Sequence, residues 1–226
     1  MLVRLYADDQ LWVVNKPNGL ASLPHSGPEP HLVQQLQALE PGFWAVLTPL
    51  DRAASGAVLV ARTPQAQRAL QQAREQGQVQ VVFHALVLGN PAWDRRELDT
   101  PLRPNVGRRK RTVADPARGR PARTRVRVIE RFGSHALVEV VPLTRVRHQV
   151  RAHLYAAGHP IAGDPLYGPG PEPGGVAQQL ALHARRLRFP HPGRGETMPV
   201  TAPYPAWWDA ALDALRWEKA LTRRDA

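Results

Sequence analysis

The chain has 226 residues and not one cysteine. Disulfides and thiolate chemistry are therefore excluded, and the absence agrees with a reducing compartment. It also lacks any run of about 18 apolar residues, the length a membrane-crossing helix needs. Its opening, "MLVRLYADDQLWVV", places Asp8 and Asp9 where a signal peptide requires an apolar core. These absences lead to the expectation of a cytoplasmic protein with no membrane partner. Missing as well are the G-x-x-x-x-G-K-[ST] phosphate loop, a G-x-G-x-x-G opening a helix, G-x-S-x-G and H-E-x-x-H. Nine histidines invite a metal reading. His148 and His153, however, stand five apart in a helical stretch and point about 140° away from each other, so no metal is expected.

Acid is scarce too. Nineteen Asp and Glu face thirty Lys and Arg, a net charge of +11 carried almost wholly by Arg. The guanidinium fork matches phosphate oxygens bidentately, which makes nucleic acid the leading partner. Residues 103–127, "RPNVGRRKRTVADPARGRPARTRVR", hold ten Lys/Arg and a single acid. Such a run reads either as a solvated, partly disordered loop or as a phosphate-binding surface.

What is present is a chain that folds. Hydrophobic residues make up 43% of it and recur from end to end, enough for one substantial core and one domain over 1–226. "VRLYADDQLWVVNKPNG" predicts two short strands, and residues 31–39 a short helix. The clearest helix is 63–76: Thr63 as N-cap, Pro64 at the first position, Ala66, Ala69, Leu70 and Ala73 on one face, and Gly77 after the end. "VQVVFHALVLG" predicts a central strand, and "ARTRVRVIERF" and "HALVEVVPL" a hairpin around "GS". "RVRHQVRAHLYAAG" predicts a helix ending at Gly158, "LALHARRLRF" a strand, and "PAWWDAALDALRWEKAL" a closing amphipathic helix. Strands with interspersed helices and hairpins predict an α/β or α+β fold.

One acid stands out. In "VLTPLDRAASGAVLVAR", Asp51 sits between apolar runs, followed by small residues that read as a turn. A carboxylate acts as nucleophile or base only where it is ionised and partly shielded, which requires a nearby cation. Arg52 is adjacent in sequence, while Arg145, Arg147 and Arg151 come from another segment. Taken alone, an Asp in a turn beside Arg is more often a cap or a surface ion pair.

"LDRAASGAVLVAR", "VFHALVLG", "RHQVRAHLYAAGHPIAGDPLYG" and "LALHARRLRF" occur in the order and roughly the spacing of the RluA-type RNA pseudouridine synthases, and the chain resembles that family from "LWVVNKPNGL" to "APYPAWW". The resemblance implies a long, mostly antiparallel mixed sheet with peripheral helices and a central cleft. It implies conversion of uridine to pseudouridine in structured RNA, ribosomal or transfer, by flipping the base out, with neither cofactor nor metal. Asp51 takes the position of the essential catalytic Asp and Arg151 that of its ionic partner. Phe83 holds the position of an aromatic that stacks on uracil, and Leu182 or Leu180 that of a hydrophobe lining the pocket. Arg52, Arg108, Arg109, Lys110, Arg111, Arg145 and Arg147 become candidate RNA contacts. A monomer suffices for this chemistry.

The chain also departs from the family pattern. Thr48 and Pro49 replace a His-Arg pair whose Arg helps fill the space left by the flipped base. Ala54 replaces a Thr, Val81 and Phe83 a Lys and a Tyr, and Arg145-Val146-Arg147 a Gly-Arg-Thr. Many members carry an N-terminal S4-type domain, whereas this chain starts directly at the catalytic part. Asp164 reads as an Asx-turn residue, Tyr167 as packing beneath it, and His148 and Gln149 as without catalytic role. These departures keep open a competing class, a synthase-derived RNA-binding protein without turnover. An Asp-based phosphotransferase is disfavoured because no second acid stands near Asp51 to hold magnesium.

Overall fold

In the computed structural model, residues 2–24, 27–171 and 176–222 are described. The elements in chain order are β1 (Val3–Ala7), β2 (Leu11–Lys16), α1 (Leu32–Leu39), β3 (Ala45–Val46), β4 (Ser55–Ala61) and α2 (Pro64–Glu75). There follow β5 (Gln80–Leu88), β6 (Arg95–Leu98), β7 (Leu102–Val106), β8 (Arg111–Ala114), β9 (Thr124–Phe132), β10 (His135–Pro142), α3 (Gln149–Ala156), β11 (Leu182–Pro190), β12 (Thr197–Thr201) and α4 (Ala206–Thr222). They pack into two compact units, Met1–Val82 with His183–Tyr204, and Phe83–Leu182 with Pro205–Ala226. Each has mostly antiparallel strands with helices beside them, as an α+β fold requires.

In the first unit the strands run β1-β2-β4-β11, with β3 beside β4 and β12 beside β11. All seven residues of β4, "SGAVLVA", are buried. Being covered on both faces is why that strand reads as a continuous small-apolar run rather than an alternation. The contact between β4 and β11 is parallel, at Ser55/His183 and Gly56/Ala184. Helix α2 lays Ala66, Leu70 and Ala73 onto this core beside Leu11, Leu59, Leu187 and Phe189. Its N-cap is the expected one: the Thr63 hydroxyl accepts the Ala66 N–H at 3.0 Å. Ala69 is exposed, not on the buried face. Asp8 ties the two ends of this unit together. Its carboxylate accepts hydrogen bonds from the Tyr6 hydroxyl, the backbone N–H of Gln10 and Leu11, and His191 Nε2 at 2.7 Å. Burial pushes the Asp8 carboxyl up, but these bonds outweigh it and hold the group at about 2.

In the second unit β5, β10, β9 and β6 form an antiparallel series, and β7 pairs with β8 as a separate hairpin. Gly133 and Ser134 turn β9 into β10, as expected. The basic stretch is not a loop, because residues 103–127 supply most of β7, all of β8 and the start of β9. Helix α3 begins later than its sequence pattern suggests. His148 takes φ 55°, ψ 21°, and the Gln149 side chain accepts the Val146 N–H at 3.0 Å, which diverts residues 145–148 from the helix. Strands β3, β6, β7, β8 and β12 escaped the sequence reading.

Candidate active site

The segment that presents Asp51 runs from Leu50 to Ala54, directly before β4. Ser55 and Gly56, which read as part of a turn, are the first residues of that strand. Gly56 is demanded by the parallel contact: at φ +113° a Cβ would lie 2.4 Å from the Ala184 carbonyl oxygen. Beside it, Ser55 Oγ meets His183 Nδ1 at 2.9 Å with both side chains buried, fixing the same register.

Every carbonyl from residue 50 to 54 has a hydrogen-bonding partner. Ser22 Oγ donates to Leu50 O and accepts the Leu50 N–H, both at 2.9 Å. Asp51 O accepts the Ala54 N–H at 3.0 Å, and Arg52 O accepts the Gly19 N–H at 2.9 Å. Asn18 Nδ2 donates to Ala53 O at 2.6 Å. The Lys16 ammonium reaches Ala54 O at 2.5 Å and Arg52 O at 3.3 Å, and it also donates to Pro17 O and Leu20 O. Thus "KPNGLAS", residues 16–22, forms a latch around the turn, and the Asp51 side chain is left half-buried beside it. Lys16 is fully buried. Burial pushes its ammonium down to about 7, and the negative charge of Asp51 acts the other way. Of these latch residues the sequence marks only Pro17 and Gly19, as the close of the second strand. The visible signal for Lys16 is a lysine closing a strand that is apolar but for Asn15.

Thr48 and Pro49, where the family has His-Arg, have separate fates. Thr48 is buried, its hydroxyl accepting the Leu59 N–H at 2.9 Å, so it is part of the scaffold. Pro49 is exposed. Arg52 is engaged locally, donating from Nε to Gly19 O at 2.9 Å and lying 3.5 Å from Glu29.

In the second unit α3 buries Arg151. Its Nε and Nη2 fork onto the two oxygens of Asp164, each at 2.8 Å, and both side chains are shielded from water. Asp164 is the Asx-turn residue expected: Oδ1 also accepts the N–H groups of Leu166 and Tyr167. The turn therefore orients the guanidinium, a role the sequence did not reveal. Tyr167 packs under it with its ring centroid 5.1 Å from the Arg151 guanidinium. The Tyr167 hydroxyl accepts the Thr112 N–H at 2.7 Å and lies 3.2 Å from His148 Nδ1. Burial pushes the phenol up, against those bonds and the charges of Arg151 and Arg111.

Phe83 is a half-buried residue of β5 opposite Val140. Val81 packs against the core of the first unit, and Leu180 and Leu182 are buried. Gln149 and His153 are scaffold. Gln149 donates to Arg123 O and Thr124 Oγ1, while His153 bonds Thr124 Oγ1 and Thr100 O through its two ring nitrogens. Among the described residues no cluster of His, Cys, Asp and Glu is arranged to hold a metal ion.

The basic run divides by charge. Arg103 and Arg118 pair with Asp115, Arg123 and Arg125 with Glu97, and Arg127 with Glu139. Arg108, Arg109 and Lys110 at the turn between β7 and β8, Arg111 at the start of β8, and Arg147 make no ion pair among the described residues. Arg147 donates to Asn105 Oδ1 at 2.6 Å and Thr112 Oγ1 donates to Arg147 O at 2.6 Å, which sets Arg147 beside the hairpin. Arg145 is exposed next to it.

Comparisons with known proteins agree on one family. Residues 10–156 match the family model described as RNA pseudouridylate synthase. The chain is 38% identical over 224 residues to ribosomal large subunit pseudouridine synthase C of Escherichia coli K12, covering 95% of this chain and 70% of that protein. The protein of that name from Vibrio vulnificus is 35% identical over 218 residues, covering 94% of this chain and 69% of that one. Among solved structures, human RNA pseudouridylate synthase domain containing 1 superposes with a TM-score of 0.76 at 27% identity, covering 96% of this chain and 95% of that one.

Proposed function

The chain belongs to the RNA pseudouridylate synthase family and is an RNA pseudouridine synthase, and from that premise we propose that it modifies uridine in ribosomal RNA with Asp51 as the catalytic carboxylate. The reaction is an isomerisation. The N1–C1′ bond of uridine is cut, the uracil turns, a C5–C1′ bond forms, and the proton leaving C5 is balanced by one gained at N1. Asp51 serves by attacking the ribose or the base, or by promoting a glycal intermediate. Arg151, held by Asp164, serves as its ionic partner. Phe83 stacks on the uracil and Leu182 lines its pocket. Lacking a hydroxyl, Phe83 accepts no proton, so the C5 proton leaves through Asp51, a water or another group. With Thr48 committed to the scaffold and no Arg at position 49, the target uridine is one already unstacked in its RNA, for which flipping costs least.

In this reading the two units act as one catalytic domain, working as a cytoplasmic monomer without metal or cofactor. Arg52, Arg108, Arg109, Lys110, Arg111, Arg145 and Arg147 contact the RNA.

The observation that carries the assignment of Asp51 is the latch. Five consecutive carbonyls are tied down around a carboxylate whose own side chain stays half-buried, the arrangement that catalysis by a preorganised group requires. Asp51→Asn is expected to fold and bind RNA as the unaltered protein does while forming no pseudouridine. Mapping pseudouridine in total RNA from cells with the gene, without it, and with the variant identifies the target and tests the role together. Product formed by the Asn variant would remove Asp51 from the mechanism.

A further inference from the structure

We propose that Tyr155 and Arg111 form a stacking subsite for an unpaired base of the substrate RNA, additional to the contact made with the uridine that reacts; this rests on the RNA substrate argued above. Helix α3 turns Arg151, Ala152 and Leu154 inward, but Tyr155 near its end is 48% exposed. That exposure is paired with charge. The Arg111 guanidinium lies 5.0 Å from the centroid of the Tyr155 ring and 4.8 Å from that of Tyr167. Tyr167 meets Tyr155 at 61° with centroids 6.1 Å apart, an edge contact. Arg111 thus lies over a ring that stays half exposed.

The surroundings decide what ligand this ring suits. Arg111 directly follows the turn bearing Arg108, Arg109 and Lys110, and none of the four is neutralised by an acid among the described residues. Four such cations call for a polyanionic partner. A nucleic acid supplies phosphates for the cations and a π-face for the ring, and base–aromatic stacking tolerates any base. The base must be unpaired, because one inside a duplex has both faces occupied by its neighbours. Tyr167 links the subsite to the reaction centre, because the same ring stacks on Arg111 and on Arg151.

Two fluorescein-labelled RNAs test this by anisotropy: a hairpin with an unpaired loop, and the same stem as an uninterrupted duplex. Tyr155→Leu is expected to weaken binding of the looped RNA by roughly five-fold or more, with duplex binding unchanged, and Tyr155→Phe to bind as the unaltered protein does. A 2-aminopurine walked through the loop is expected to be quenched at one position on binding the unaltered protein, and that quenching does not depend on how any variant folds. Equal binding of the looped RNA by Tyr155→Leu, or no quenching anywhere in the loop, overturns the subsite. Failure of the unaltered protein to bind either RNA overturns the RNA reading beneath it.

Discussion

Lys16 sets an ammonium where water does not reach, against four backbone carbonyls. An ammonium offers three N–H donors and a neutral amine two, so the cradle favours the charged form. Burial opposes it and brings the group to about 7 from 10.5. Between those values the unfolded chain holds a proton that the folded chain has released. The stabilisation from this group is therefore complete above the unfolded value and is lost as pH falls toward 7. Lys16→Met removes both the titration and the donors, leaving buried carbonyls unsatisfied at a cost of roughly 2 kcal/mol or more. Urea unfolding from pH 7 to 10 should show the unaltered protein gaining on the variant as pH rises. A flat difference would mean that the carbonyls retain the proton throughout. The role of Lys16 was invisible in the sequence because its acceptors Arg52 and Ala54 lie 36 and 38 positions away. Asp51, by contrast, was legible, because its neighbours form a motif along the chain.

At the scale of elements, what the sequence predicts well is what local physics decides. Helix α2 has its cap, its proline and its apolar stripe within one short window, and β9 and β10 alternate around a two-residue turn. The β7–β8 hairpin has none of these signals, because its short strands mix single apolar residues with Arg, Pro, Asn and Thr and hold together by pairing with each other, by the buried Leu102 and by bonds from Thr112 to Tyr167 and Arg147. The start of β4 is a subtler case, since two small residues read as a turn until the parallel contact with β11 makes them strand. Gly56 and Gly77 separate the two demands on a glycine. Both have positive φ, but a Cβ at Gly77 meets nothing within 4 Å, whereas at Gly56 it meets the Ala184 backbone. Gly77→Ala should cost about 1 kcal/mol, the left-handed penalty alone. Gly56→Ala should cost about 3 kcal/mol or more, because overlap with backbone is added to the strain. Equal midpoint shifts in urea would show that β11 yields and that the close approach does not fix the register beside Asp51.

At the scale of the whole molecule, the net charge of +11 announces a polyanionic partner without locating where it binds. Location depends on which arginines are already spent on carboxylates, and that is settled by pairing across strands: Glu97 comes from β6 and Glu139 from β10, distant in sequence from the arginines they engage on or beside β9. Within residues 103–127, discounting those pairs leaves Arg108, Arg109 and Lys110 at the turn between β7 and β8, with Arg111 and Arg120, as the charge that no acid balances among the described residues. Cations that touch phosphates release counterions, so log affinity falls with log salt by about 0.7 per contact on single-stranded nucleic acid. Replacing Arg108, Arg109 and Lys110 together by Gln should therefore reduce the steepness of the salt dependence by about 2, with weaker binding at low salt and convergence toward the unaltered protein at high salt. Replacing Arg103 alone by Gln removes a charge that Asp115 balances at 2.9 Å, and should leave the slope nearly unchanged. Anisotropy titrations across a salt series distinguish the two variants. If both lower the slope equally per charge removed, the RNA feels the summed charge of the chain rather than the hairpin turn, and the surface assigned here is wrong.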